Sequence, residues 1–95
     1  MIYGIVRGNI VATFKTPKLE RWKLLIVQPL SLEDQPQGGA ILAVDAVGAG
    51  AGEKVLVVRE GGSVNQIMGE RKAPVQSAVV AIVDEIKVSR GRETK

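Results

Sequence analysis

The chain contains no cysteine and no histidine. Disulfides are excluded, and so are metal sites built from thiolate or imidazole ligands. Hydrolytic chemistry loses its commonest base and its most reactive nucleophile. A serine nucleophile would need a lysine as its base, and no Ser-x-x-Lys pattern occurs. Aromatic residues are only 3% of the chain, namely Tyr3, Phe14 and Trp22. They lie on separate segments, so no base-stacking platform of the kind single-strand binders use can be assembled from them. No apolar run approaches the ~20 residues of a membrane-spanning helix. The amino terminus has no basic region followed by a long apolar stretch. No membrane partner is expected, and the chain is expected to work in the cytoplasm.

What is present is a small globular chain. Its 95 residues suit one domain. Hydrophobic residues make up 45% and charged residues 24%, which separates it from disordered chains. With so few aromatics, the core must be built from Val, Ile, Leu and Ala. Net charge is +3, with Lys15, Lys18, Arg21 and Lys23 in one region and Lys87, Arg90 and Arg92 in another. These read as a solvated surface and a polar tail, the other reading being a nucleic-acid patch.

Residues 1–14 alternate in period two with β-branched side chains, so they form a strand. Gly8 in its middle predicts a bend or bulge. Residues 15–21 contain Pro17 and charges and read as a loop. Residues 22–28 form a second strand, which Pro29 should end. Residues 31–39 are a polar connection. Residues 40–47 and 55–59 are the third and fourth strands. Ser63-Val64-Asn65-Gln66 fits a capping box for a short helix reaching Met68, before Gly69. Pro74 could open one helical turn over 75–77. Residues 78–88 are the fifth strand, with Val79, Ala81 and Val83 on one face and Val80 and Ile82 on the other. Residues 89–95 are polar and expected to be disordered.

Five short strands with one or two helical turns predict a small closed all-β barrel. Strands two and five are apolar on both faces at their centres. A barrel can hide only one of those faces, so the other predicts an interface and a homo-oligomer.

The stretch joining strands three and four is Gly48-Ala49-Gly50-Ala51-Gly52-Glu53. A dinucleotide fingerprint would need Gly-x-Gly-x-x-Gly leading into a helix, and here a strand follows. A phosphate loop would need Gly-Lys-Ser/Thr, and Glu53-Lys54-Val55 departs from it. Asp45, just before the glycines, is expected to cap the turn's amides rather than act as an acid. The pair Glu33-Asp34 falls in a proline loop. Asp84 and Glu85 are adjacent in a strand and point apart. Neither pair makes an acid–base couple. No enzyme activity and no cofactor are expected. A five-stranded barrel binding single-stranded nucleic acid is the alternative reading.

Four segments in order carry a resemblance. They are Val6-Arg7-Gly8-Asn9-Ile10-Val11-Ala12-Thr13, then Lys23-Leu24-Leu25-Ile26-Val27-Gln28. The third runs from Val44 through the glycine motif to Val58. The fourth is Ala73-Pro74-Val75 with Ala78-Val79-Val80-Ala81-Ile82-Val83-Asp84. Together they resemble the EutN/CcmL family of bacterial microcompartment vertex proteins, over residues 1–88. The resemblance implies an OB-like barrel assembled as a cyclic pentamer. It implies a structural role at the fivefold corners of a protein shell, with hexameric shell proteins as partners. It also implies that Gly48, Ala49, Gly50, Gly52 and Glu53 lie at the rim that meets those hexamers. Ser63 and Asn65 would lie near the fivefold axis or a subunit interface. Two departures stand out: the family's arginine after the fourth strand is missing at Gly61-Gly62-Ser63-Val64-Asn65, and Gln76 replaces its aspartate.

Overall fold

A computed structural model describes residues 1–15, 19–69 and 75–89. Five strands close into a barrel in the order β1-β2-β3-β5-β4. They are β1 (Ile2–Lys15), β2 (Leu19–Pro29), β3 (Ile41–Asp45), β4 (Lys54–Val58) and β5 (Ala78–Ile82), with helix α1 (Gly61–Met68) between the last two. All neighbouring strands are antiparallel except β3 and β5. The all-β barrel expected from the alternating segments is therefore the fold.

β1 is the spine of the molecule. Ile2 to Ile5 pair with β4, and the strand pairs with β2 from Gly4 to Lys15. The register slips between Val6 and Gly8, so the bulge falls where Gly8 predicted it. Gly4 lies where β1 presses on β2. A Cβ added there would stand 2.6 Å from the Val27 side chain and 2.7 Å from the Gln28 carbonyl oxygen.

Several segment boundaries differ from the sequence reading. β2 begins at Leu19, not Trp22, because the far half of β1 supplies a partner ladder as far as Lys15↔Leu19. Residues 19–21 are therefore strand rather than loop, and Pro29 is the last strand residue. β3 stops at Asp45, whose side chain turns the chain. The helix begins two residues before Ser63. Glu60 is its N-cap and makes no side-chain capping bond. The Ser63 hydroxyl instead donates to the Glu60 carboxylate, so the expected capping box does not form. Gly69 ends the helix in the left-handed region, at φ 70°. Residues 75–77 are not helical. Ser77 already offers its carbonyl to the Val44 N–H at 2.9 Å, so the chain is entering the sheet there. β5 ends at Ile82 rather than residue 88. The Val83 N–H reaches Lys54, where β4 starts, and among the described residues no strand pairs with the chain beyond that point. The predicted tail, apart from Ser89, lies outside the described residues, as does Pro74.

The core has two parts. The barrel interior holds Val6, Leu25, Val27, Ala43, Ala49, Val55, Val57 and Val79. A second cluster, Leu24, Val44, Val64, Met68 and Ala78, lies under α1. Each fully buried Val or Leu contributes about 1.5–3 kcal/mol relative to exposure. β5 divides its side chains between the two parts differently from the strict alternation expected. A register shift opposite Leu56 and Val57 makes Val80 an extra residue. Val79 and Ile82 then both face the barrel interior, while Ala78 and Val80 face the cluster under α1.

Candidate functional site

The turn between β3 and β4 is built around two carboxylates. At its start, Asp45 Oδ1 accepts the N–H groups of Val47, Gly48 and Ala49 at 3.0, 2.8 and 3.3 Å. Its other oxygen meets Lys23 Nζ at 3.3 Å, and the Asp45 side chain is only 4% exposed. Lys23 also donates to the Ala49 carbonyl at 3.3 Å. Burial pushes the Asp45 carboxyl upward. The three amides and Lys23 more than offset this, and the net shift is downward. Asp45 thus caps the turn, as the sequence suggested.

At the far end, Glu53 Oε1 accepts the Gly50 N–H at 2.7 Å and the Glu53 N–H donates to the Gly50 carbonyl at 3.1 Å. Gly52 and Glu53 are then tied to β1. The Gly52 N–H donates to the Val6 carbonyl at 2.8 Å, and the Val6 N–H donates to the Glu53 carbonyl at 2.9 Å. Gly48 and Gly52 hold φ of 76° and 89°, conformations that glycine adopts freely. Gly50 does not, so its small size is not required by its backbone angle.

The predicted rim residues therefore have different surroundings. Gly48, Gly50, Gly52 and Glu53 are exposed. Ala49 is not: it has no exposed surface and plugs the barrel interior. Its methyl group anchors the turn instead of facing a partner. Ser63 and Asn65 lie half-buried on α1, a separate element.

This geometry excludes the phosphate reading on a second ground. The N–H groups of residues 47, 48, 49, 50, 52 and 53 are already bonded within the protein. A phosphate cradle needs such donors free. Among the described residues no cluster of acidic side chains could hold a metal ion. What the turn offers outward is a rigid backbone surface with almost no side-chain bulk.

Sequence reasoning missed a second network. Asp34 Oδ1 accepts the Tyr3 hydroxyl at 2.7 Å, and Oδ2 meets Lys54 Nζ at 2.9 Å. Lys54 first, and then Tyr3, hold the Asp34 carboxyl below its ordinary value. Burial and the Asp34 carboxylate raise the Tyr3 phenol. Asp34 is a non-glycine residue at φ 65°. No local pattern announces this, because the partners come from β1, a loop and β4.

The comparisons with known proteins agree with the geometry. The family model "Ethanolamine utilisation protein EutN/carboxysome" matches residues 1–84. The vertex protein EutN of Salmonella typhimurium is 38% identical over 90% of this chain and 86% of its own. The carboxysome vertex protein CcmL of Synechocystis is 42% identical, over 90% and 85%. Among solved structures, CcmL of Gloeobacter violaceus has a TM-score of 0.79 at 36% identity, covering 93% of this chain and 90% of that one. The pentameric microcompartment shell protein GrpN of Rhodospirillum rubrum has a TM-score of 0.76 at 38% identity, covering 94% and 100%. The barrel, its glycine turn and these matches together make the chain a member of the EutN/CcmL family.

Proposed function

We propose that this protein is a structural vertex protein. Five copies form a ring that caps the fivefold corners of a bacterial microcompartment shell in the cytoplasm. Each ring docks onto hexameric facet proteins through the exposed part of the 48–53 turn. The observation that carries the reading is the end-to-end match to a pentameric shell protein of the same family. The physical form of the turn supports the docking role. The N–H groups of residues 47–50, 52 and 53 are spent internally and its outer residues other than Glu53 are small, so shape governs the contact and another backbone can approach closely.

The assembly is tested by mass-resolved light scattering on dilute protein. The expected mass is five times the 10.1 kDa monomer. A monomer that bound oligonucleotides with strong salt dependence would overturn the reading in favour of a single-strand-binding barrel.

The docking role is tested by Glu53→Lys. The variant loses the carboxylate that accepts the Gly50 N–H. At an exposed site that costs about 1 kcal/mol. We expect an intact pentamer that no longer co-purifies with shells made alongside a partner hexamer. Glu53→Gln keeps an acceptor oxygen for Gly50 and separates loss of the turn from loss of charge. If Glu53→Lys enters shells as well as the parent does, the rim lies elsewhere.

A further inference from the structure

The ring proposed above leaves open which surfaces close it. A closed ring of identical subunits is made head to tail, so each chain must carry two different, mutually complementary patches. Two exposed patches of opposite chemistry stand at opposite ends of β1.

The first is on the distal ribbon. β4 pairs with β1 only as far as Ile5, and β3 pairs with β2 only from Leu24. Among the described residues, no third strand pairs with 10–15 or 19–23, and that half of β1 and β2 projects as a two-stranded ribbon. Such a ribbon is marginal in water unless one face is covered. One face is covered, because Ala12, Phe14 and Trp22 pack against the cluster under α1. The opposite face is open. There Val11 pairs with Lys23 and Thr13 with Arg21, and Val11 is 53% exposed. The strip is a small apolar surface flanked by cations.

The second patch lies at the Tyr3 end, roughly 30 Å from Thr13 at the usual strand rise. It is a cleft of about 300 Å³ whose exposed apolar members are Leu32, Ile86 and Val88. Asp84 and Glu85 line the same cleft. Leu32 is held there by a loop made rigid at some conformational cost. Asp34 sits at positive φ while bridging Tyr3 and Lys54, and the Ser31 hydroxyl accepts the N–H groups of Glu33 and Gln35. An exposed leucine held in place by a loop ordered in this way points to a surface that is used.

We propose that the open ribbon face of each copy seats in this cleft of the next copy. Val11 packs on Leu32, Ile86 and Val88, and Arg21 faces Asp84. The charges match, since neither Arg21 nor Asp84 has an ion-pair partner among the described residues of its own chain. The patches lie at opposite ends of one strand, so they can meet only between neighbours and not within one chain. This inference rests on the ring of five.

Two measurements test it on the full chain. Arg21→Glu and Asp84→Arg should each shift the monomer–pentamer midpoint by about tenfold or more towards monomer. The double variant should return it towards the parent. Because the chain has no cysteine, a Val11→Cys, Val88→Cys variant can be joined by a short bis-maleimide without background. It should give a covalent ladder ending at five copies, while each single-cysteine variant stays monomeric on a denaturing gel. A stable pentamer that gives no ladder, and ignores both charge reversals, would mean that other faces close the ring. That result overturns this inference and leaves the vertex assignment standing. A parent protein that is monomeric would overturn both.

Discussion

Replacing Asp45 with Ala is expected to cost about 3 kcal/mol of stability, a large share of what a domain of this size has. The reason is the number of groups that lose their partner together. Three amides, at Val47, Gly48 and Ala49, lose their acceptor, and Lys23 loses its counter-ion. The Asp45 side chain is only 4% exposed, so the N–H groups that point at it regain little from solvent until the turn opens. Opening the turn would withdraw Ala49 from the barrel interior, which couples a surface turn to the core. Asp45→Asn keeps one acceptor oxygen but loses the charge, and it should fall between parent and Ala. Chemical denaturation at neutral pH checks the order.

The same residue gives the stability a pH dependence. The Asp45 carboxyl is held below its ordinary value in the folded protein. Its contribution is therefore fully present above the unfolded carboxylate value of about 4. It is lost as pH falls through the lower folded value. Denaturation curves from neutral pH down to acid should show the parent losing its advantage over Asp45→Asn only below about pH 4. The Asp34 carboxyl titrates in the same direction but is present in both proteins, so the difference between them isolates Asp45. A gap between the two proteins that stayed constant to low pH would show that the charge of Asp45 contributes nothing.

Local chemistry made much of this fold legible. Period-two alternation marked β1, and a glycine inside it marked the bulge. A carboxylate followed by glycines marked the capped turn, because Asp45 bonds within four residues of itself. What could not be read locally was set by pairing partners. β2 runs back to Leu19 only because β1 is long enough to accompany it. The bulge at Val80 exchanges the faces of Ala81 and Ile82 relative to alternation, and it depends on β4 for its register. At the candidate site, the sequence grouped Ala49 with the exposed glycines, whereas its side chain is buried in the barrel interior. An alanine between two exposed glycines gives no sign that its methyl group is a core residue. The Tyr3–Asp34–Lys54 network joins positions far apart in the chain and has no sequence signal.

The glycines show the same division, and they yield the second large effect. The glycine-rich turn looks like the place where close approach matters within the fold, yet a Cβ on Gly50 would meet nothing nearer than Glu53 Oε1 at 3.8 Å. Gly50 also avoids positive φ, so Gly50→Ala should leave monomer stability within about 0.5 kcal/mol of the parent. Gly48→Ala and Gly52→Ala have space around the new methyl group but must adopt φ of 76° and 89°, a strain of about 1–2 kcal/mol each. Gly4 is different in kind. Its added Cβ would overlap the Gln28 carbonyl oxygen, and backbone cannot rotate away as a side chain can. Relief would require β1 and β2 to separate where Gly4 pairs with Pro29, beside Val6 and Val27 of the barrel interior. We expect Gly4→Ala to cost about 3 kcal/mol and to lower the yield of folded protein more than any substitution in the 48–52 turn. Equilibrium denaturation of the four alanine variants, run side by side, gives the ranking. A Gly4→Ala variant as stable as Gly50→Ala would mean that β1 and β2 are free to move apart at this point.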